Sequence, residues 1–234
     1  MLYLFMKEKI GVVLPSRGLV FSRTMESVFE NIKGKDVQVY MAHNLPLPTC
    51  FNYPLKKALD DGCTLIWFVE EDMVIPGGTL DKMLEEYSKG SMAVSTEYAD
   101  RRTGKTLVQR TKKGEVLYSG MGCLLVHRSI FDKMEPPWLR TCVFWLVTDE
   151  ETGEVNYEPH PELPFKGYGT QDVWLSWNIR EQGHQIKIVD AEIGHLQLVE
   201  RAADQQNQGQ HDIEAIYINP NSQPPELLKT FGDW

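Results

Sequence analysis

Three consecutive carboxylates, Glu70, Glu71 and Asp72, interrupt the apolar stretch 65–75, which reads LIWFVEEDMVI. In an extended chain alternate side chains share a side, so Glu70 and Asp72 are predicted to lie together. Neighbouring carboxylates repel each other unless a cation lies between them. A divalent Mg²⁺ or Mn²⁺ ion would suit these oxygen ligands, and diphosphate oxygens could fill its other positions. A metal site is therefore one interpretation, and a solvated acidic loop after a strand is the other.

Further residues with possible chemistry lie in three other segments. The loop 15–18, PSRG, could contact a nucleotide base or phosphate. Asp172 follows the glycine-flanked segment 167–170 at the start of a predicted helix, where a carboxylate also suits the helix macrodipole. His195 follows the last predicted strand, and a single histidine is more often structural than a ligand. None of these residues establishes a site by itself.

The first hundred residues must position these side chains, and their pattern alternates between strand and helix. Strands are predicted at 9–14, 37–41, 65–69 and 92–96, and helices at 21–32, 53–59 and 79–87. The strand 65–69 is apolar on both faces, which is typical of parallel sheets covered by helices. The fold class is therefore α/β, with a mostly parallel sheet whose strand ends carry the ligand site.

The second half of the chain predicts a hairpin at 106–118, a strand at 123–127 and a short helix at 129–134. Loops or short antiparallel strands are expected over 138–168. A helix at 171–182 and a strand at 186–189 follow. The polar, turn-rich sequence after His195 is expected to wrap the surface or to be partly mobile.

Composition excludes some classes of function. The net charge of −9 weighs against a broad nucleic-acid-binding face. The one basic region, residues 101–105 with Arg110, Lys112 and Lys113, is interpreted as a solvated hairpin, with a polyanion contact as the alternative. The four cysteines have no CxxC spacing and the apolar start MLYLFM is too short to span a membrane, so a cytoplasmic protein without an integral membrane segment is expected.

The order of these segments resembles that of the GT-A-fold glycosyltransferases, particularly the family-2-like group. The resemblance covers residues 8–197 and rests on PSRG after a strand, Asn52 before a helix, EED after a strand, GMGCLLVHRSIF, and TQDVWLSWNIREQGHQIKIV. It implies a GT-A, Rossmann-like nucleotide-binding three-layer sandwich with a mostly parallel central sheet. Residues 1–197 would form one catalytic domain, with a nucleotide-sugar-binding half (1–100) and an acceptor-binding half (101–197), followed by a C-terminal tail (198–234).

The resemblance also implies roles for individual residues. Glu70 and Asp72 match the acidic positions of the D-x-D metal motif, with Glu in place of the first Asp. His195 matches a histidine that often completes this metal site. Asp172 matches the acid of the E-D motif, the general base of inverting members, and Gln171 replaces the Glu before it. Phe51 stands where an Arg usually precedes the asparagine of the helix start. The implied donor-binding residues are Pro15, Ser16, Arg17, Asn52, Glu71 and Asp72.

The implied activity is metal-dependent transfer of a sugar from a nucleotide-diphosphate donor to a hydroxyl, with inversion favoured. The implied cofactor is Mn²⁺ or Mg²⁺, and a UDP-sugar is the donor that the resemblance favours. The acceptor stays open among glycans, proteins, small molecules and modified nucleic-acid bases. Two alternatives stay open as well: a sugar nucleotidyltransferase, and a non-catalytic nucleotide-sugar-binding or glycan-binding protein of the same fold.

Overall fold

The computed structural model describes residues 8–16, 18–101, 103–148, 153, 155–159, 170–200 and 211–216. The strands are β1 (Ile10–Ser16), β2 (Val37–His43), β3 (Leu65–Val69), β4 (Met73–Val74), β5 (Ala93–Thr96), β6 (Gln109–Arg110), β7 (Val116–Tyr118), β8 (Cys123–His127), β9 (Phe144–Thr148), β10 (Val155–Pro159), β11 (Ile186–Val189), β12 (Gly194–Glu200) and β13 (His211–Ile216). The helices are α1 (Ser22–Ile32), α2 (Thr49–Asp60), α3 (Thr79–Ser88), α4 (Ser129–Asp132) and α5 (Gln171–Glu181).

Six strands form the central sheet in the order β11-β5-β8-β3-β1-β2. The pairs β1–β2, β1–β3 and β5–β11 are parallel, whereas β8 runs antiparallel to both of its neighbours. This topology confirms the predicted fold class, a Rossmann-like α/β sandwich of the GT-A type with a mostly parallel sheet. Among the described helices, none is long and apolar enough to cross a bilayer.

Helices cover both faces of the sheet, which explains why β3 is apolar at every position. Leu65, Trp67 and Val69 pack in one cluster with residues of α1 and α3. The alternating residues Ile66 and Phe68 pack in a second cluster with residues of α2, α4 and α5. Because each strand residue points to the opposite face from its neighbour, both faces require apolar side chains. The result is a three-layer sandwich that holds the end of β3 rigidly.

Helix α2 begins at Thr49, four residues before the start of the helix that was predicted at 53–59. Asn52 therefore lies inside the helix and not before it. The buried Cys50 and Phe51 supply the apolar side of this additional turn. Pro54 is accommodated within the helix although it lacks a backbone N–H. Burial of the preceding turn thus outweighs the tendency of Pro54 to begin or interrupt a helix.

The chain after β11 forms a small antiparallel sheet that the sequence pattern did not predict. Its strand order is β13-β12-β4, so β12 pairs with the two-residue strand that follows the acidic motif. β13 lies in the polar segment that was expected to wrap the surface, and the remainder of the predicted tail after residue 216 is outside the described residues. The predicted hairpin is confirmed as β6 paired with β7.

The close packing of α2 on β1 depends on a residue without a side chain. A Cβ atom placed on Gly11 would lie 2.8 Å from Cβ of Ala58 and 3.1 Å from Sγ of Cys63. Cβ of Ala58 is attached directly to the helix backbone and is fully buried, so this side chain has no flexible end that could move away. The glycine therefore sets the distance between α2 and the sheet.

We expect Gly11→Ala to lower the free energy of unfolding by about 1–3 kcal/mol, because the added methyl group overpacks this contact. Urea unfolding would measure the change. The single variant Ala58→Gly and the double variant Gly11→Ala/Ala58→Gly complete a double-mutant cycle. The double variant should be more stable than the sum of the single effects indicates; strict additivity would show that the contact is not the cause.

Candidate metal and nucleotide site

The acidic motif forms a turn at the carboxyl end of β3, and not the extended segment that alternation suggested. The amide N–H of Met73 donates to the carbonyl oxygen of Glu70 at 3.3 Å. The next residues are held by β12: Met73 pairs with His195, and the N–H of Leu196 donates to the carbonyl oxygen of Asp72 at 2.7 Å. These backbone bonds bring the late part of the chain against the acidic turn.

Glu70, Asp72 and His195 converge as a result. One ligand atom from each side chain, two carboxylate oxygens and one imidazole nitrogen, all lie within 4.8 Å of one another. Nε2 of His195 is 3.6 Å from Oδ1 of Asp72. On the other side of the ring, Nδ1 is 2.8 Å from the carbonyl oxygen of Ala99, which can only accept, so Nδ1 carries a proton. The ring is thereby oriented with Nε2 toward the carboxylates, which is the arrangement of a metal-ligating histidine.

The electrostatics of this cluster favour a bound cation. Burial, followed by the negative charge of Asp72, raises the pKa of Glu70 to about 7. Burial lowers the pKa of His195, but its hydrogen bond and charge interaction with Asp72 outweigh burial and raise this pKa overall. The negative charge of Asp72 contributes to both shifts, and it would likewise attract a cation to this cluster. Two carboxylates and one imidazole form a donor set that suits Mn²⁺, since imidazole is a poor ligand for Mg²⁺.

Arg101 also belongs to this site, which corrects its interpretation as part of a solvated hairpin. Its Nη1 lies 2.9 Å from Oδ2 of Asp72, whose side chain is only 3% exposed. The Arg101 side chain is 34% exposed, and Arg101 lines the pocket into which the acidic turn opens. Arg102, its neighbour in the basic cluster, lies outside the described residues. Arg110 pairs with Glu97 and does not contact the acidic turn in the described contacts.

The loop that carries Arg101 is closed by its own hydrogen bonds. The N–H of Asp100 donates to Lys105 O at 2.7 Å, and the N–H of Gly104 donates to Asp100 O at 2.8 Å. Gly104 adopts a φ of +67°, a conformation that glycine accepts without strain. The Asp100 carboxylate further accepts from the N–H of Thr103 at 3.0 Å. This compact loop places Ala99 against His195 and Arg101 against Asp72.

Tyr98 packs against His195 and explains the small residues of the GMG segment. Its ring packs edge-on against His195 with the centroids 5.7 Å apart. Its hydroxyl accepts from the N–H of Gly122 at 2.7 Å. A Cβ on Gly120 would lie 2.1 Å from this hydroxyl oxygen, and one on Gly122 would lie 2.8 Å from Cζ of the ring. Glycine at both positions therefore allows the tyrosine to support the histidine.

The acidic turn opens into a pocket of about 150 Å³. The pocket contains most of the residues predicted for donor and metal binding, and it also has an apolar side that the sequence did not indicate. The residues that line it are Pro15, Ser16, Leu47, Cys50, Phe51, Glu70, Glu71, Asp72, Arg101, Gln171 and His195. The Ser16 hydroxyl accepts from the N–H of Gly18 at 3.0 Å, which shapes the loop after β1. Arg17 lies outside the described residues, so its predicted donor contact stays a prediction.

A larger open groove of about 940 Å³ runs along β11 and the β6–β7 hairpin. Its lining mixes lysines and arginines with acidic residues and includes none of the predicted site residues. In parallel sheets ligands bind at the carboxyl ends of the strands, where the acidic turn lies. The smaller pocket is therefore the better candidate site.

The start of helix α5, which carries Gln171 and Asp172, depends on an unusual residue. Thr170, which precedes the helix, has a φ of +71°, and a β-branched residue rarely adopts this left-handed conformation. Its hydroxyl donates to Cys142 O at 3.0 Å and accepts from Cys142 N at 3.2 Å, which holds it in place. The charge of Asp172 makes a smaller contribution to the raised pKa of Glu70 than burial and Asp72 do. Asp172 does not line the pocket, whereas its neighbour Gln171 does.

Asp172 and Gln171 have different surroundings. Burial raises the pKa of Asp172, although its Oδ1 accepts a hydrogen bond from the N–H of Val173 at 2.9 Å. Gln171 is 7% exposed and lines the pocket, and its Oε1 has no hydrogen-bond partner among the described residues. A buried acceptor without a partner costs free energy unless a ligand or water supplies a donor. The side-chain oxygen of Gln171 is thus available to accept a hydrogen bond from a ligand.

Asn52 is engaged elsewhere in the structure. Its Nδ2 donates to Leu139 O at 2.8 Å and its Oδ1 accepts from Leu139 N at 3.0 Å. These two bonds fasten α2 to the segment after α4. Asn52 does not line the pocket, and its predicted nucleotide contact stays a prediction.

We expect the stability of the metal-free protein to fall between about pH 5 and pH 8, because the folded-state pKa of Glu70 is raised. The folded chain binds this proton more tightly than the unfolded chain, with a pKa of about 7 against 4.5, so the stabilisation is present at low pH and is lost as pH rises. His195 contributes with the same sign. Glu70→Gln should flatten the profile of melting temperature against pH, and Mn²⁺ should restore stability to the parent protein at high pH. Identical profiles for parent and variant would contradict the role of Glu70.

Comparison with models of protein families gives no match, and comparison with curated proteins gives none either. Among solved structures, the chain is similar to A197 from STIV, with 14% sequence identity, a TM-score of 0.52, and coverage of 80% of this chain and 85% of that one. It also aligns with 4-diphosphocytidyl-2C-methyl-D-erythritolsynthase from Anaerococcus prevotii DSM 20548 at 10% identity and a TM-score of 0.44, over 80% of this chain and 90% of that one. The first similarity shows a shared fold. The second alignment, with a TM-score below 0.5, does not establish one.

Proposed function

We propose that this chain is a metal-dependent glycosyltransferase, which moves a sugar from a nucleotide-diphosphate donor to a hydroxyl acceptor. The observation that carries the proposal is the convergence of Glu70, Asp72 and His195 at the carboxyl end of β3. These residues lie beside Pro15 and Ser16 at the end of β1, which line the same pocket. A nucleotide diphosphate needs a cation and a polar pocket together at a strand end, and this combination supports the proposal.

The metal ligands in this proposal are Glu70, Asp72 and His195. The bound cation, preferably Mn²⁺, would neutralise the charge that grows on the leaving diphosphate. His195 is already oriented by Ala99, so its ring needs no rearrangement to present Nε2. Glu70 must lose its proton before it can ligate, which makes cation binding depend on pH.

The donor would bind along Pro15, Ser16 and Glu71, which line the pocket next to the metal ligands. Arg17 and Asn52 complete the donor set implied by the family resemblance. The family resemblance also favours a uridine nucleotide as the donor. The apolar side of the pocket, formed by Leu47 and Phe51, offers a surface for an uncharged ring.

Asp172 is the proposed general base. In the transfer, a bond forms between the acceptor oxygen and the anomeric carbon while the bond from that carbon to the diphosphate breaks. The proton of the attacking hydroxyl passes to the Asp172 carboxylate, whose raised pKa strengthens it as a base. Attack on the face opposite to the leaving diphosphate would give inversion. The unpartnered Oε1 of Gln171 would accept a hydrogen bond from the acceptor.

The direct test is a calorimetric and thermal-shift screen of nucleoside diphosphates with and without Mn²⁺. We expect binding of one nucleotide, UDP in the first instance, to require the metal. Asp72→Asn should weaken this binding about a hundredfold or more, because it removes a charged metal ligand and the nucleotide binds through the metal. Asp60→Asn, an exposed carboxylate at the end of α2 that pairs with Lys56, is the matched control. Nucleotide binding that is insensitive to both metal and Asp72→Asn would refute the metal site.

Asp172→Asn separates an enzyme from a binding protein of the same fold. We expect this variant to keep Mn²⁺-dependent nucleotide affinity within about threefold of the parent protein and to lose sugar transfer by about 100- to 10,000-fold. Hydrolysis of a nucleotide sugar in the absence of acceptor provides a readout before the acceptor is known. Undiminished turnover in the variant would exclude Asp172 as the base, and a parent protein that binds the donor without turnover would support the non-catalytic alternative.

A further inference from the structure

We propose that Arg101 is a built-in counterion of the metal site, which holds Asp72 in the absence of metal and turns to the donor diphosphate when the metal binds. The inference rests on the proposed function and adds to it a residue that links metal binding to nucleotide binding. It starts from one contact, between Nη1 of Arg101 and Oδ2 of Asp72 at 2.9 Å.

Asp72 is almost fully buried, with its side chain 3% exposed, and both of its oxygens face groups that can carry positive charge. Arg101 lies at Oδ2 and Nε2 of His195 lies 3.6 Å from Oδ1. A buried carboxylate without such a partner would be costly, because desolvation penalises the charge. Arg101 therefore stabilises the folded protein as long as no metal is present.

A metal bound to Glu70, Asp72 and His195 would change this balance. Its two positive charges would offset the two carboxylates, and the guanidinium would then stand next to a cation. Like charges at short distance repel, so the contact with Asp72 would lose its advantage. Arg101 would become available to an anion in the same pocket, which it lines.

The geometry of Arg101 suits that second role. Its side chain is 34% exposed, so it can rotate toward the pocket without leaving a packed core. The hydrogen bonds of the loop around Asp100 and Gly104 hold the backbone, and only the side chain needs to move. A guanidinium binds two phosphate oxygens at once, which a single ammonium group does not. The diphosphate of the donor is the anion that the proposed function supplies.

Arg101 would thus oppose metal binding alone and favour metal binding together with the nucleotide. Such coupling between two ligands is reciprocal, so each should strengthen the binding of the other. A residue that merely supported the loop would not produce opposite effects on the two affinities. This difference separates the proposed role from a structural one.

The test uses isothermal titration of MnCl₂ alone, and of UDP at saturating Mn²⁺, on the full chain. For Arg101→Gln we expect Mn²⁺ alone to bind about tenfold more tightly, because the competing charge is removed. UDP should bind about ten- to a hundredfold more weakly, because a charge-assisted contact is lost. Arg110→Gln, which removes a guanidinium paired with Glu97 on the neighbouring hairpin, is the control for net charge and should change neither affinity by more than about twofold.

Arg101→Lys keeps the positive charge and guards against a glutamine variant that fails to fold. It should keep the parent affinity for Mn²⁺ and show an intermediate affinity for UDP, since lysine cannot make the two-point contact. Unchanged or weakened Mn²⁺ affinity in folded Arg101→Gln would overturn the inference, as would unchanged UDP affinity. If the parent protein binds Mn²⁺ and UDP in an Asp72-dependent manner, such an outcome for the Arg101 variants refutes only the inference and leaves the proposed function standing. If the parent protein binds neither, the proposed function fails as well.

Discussion

The short pairing between β4 and β12 is the constraint on which the site depends. Through the N–H of Leu196 and the pairing of Met73 with His195, it fixes the turn after β3 against β12, which follows much later in the chain. The ring of His195 then reaches Ala99, and the loop after β5 is drawn into the same place. The acidic turn, the loop after β5 and β12 thus meet because the two residues of β4, Met73 and Val74, pair with β12.

The sequence predicted the central sheet well because its signal is local. The apolar runs of β1 and β3 and the apolar residues of α3 each report burial within a few residues, and both sheet faces confirm them. Helix α1 is an exception, because Phe29 is exposed and its buried side chains include Thr24 and Asn31. The acidic motif was recognised for the same reason, as charge next to an apolar strand. The structure brings Glu70, Asp72 and His195 together, as the resemblance to the glycosyltransferases implied. The metal itself stays a proposal.

What the sequence did not reveal depends on contacts between distant residues. Arg101 was grouped with its basic neighbours, because composition cannot distinguish an arginine that faces water from one that pairs with Asp72. Tyr98 gave no signal other than its aromatic type, although the glycines at 120 and 122 indicate in retrospect that a bulky group lies against them. Asn52 carries the opposite lesson: a polar residue at a suggestive position can be fully used in fastening one backbone segment to another.

The left-handed conformation of Thr170 costs stability, but the hydroxyl of this residue holds the start of α5 in place. Backbone strain of this kind costs about 1–3 kcal/mol and persists only where the surroundings enforce it. Selection for thermal tolerance alone would favour glycine at this position, because glycine removes the strain. The same change would discard the hydroxyl that ties the start of α5 to Cys142. A lineage that moved to a hotter environment would therefore be expected to gain its stability elsewhere in the molecule, and to retain this threonine for as long as it retains the site.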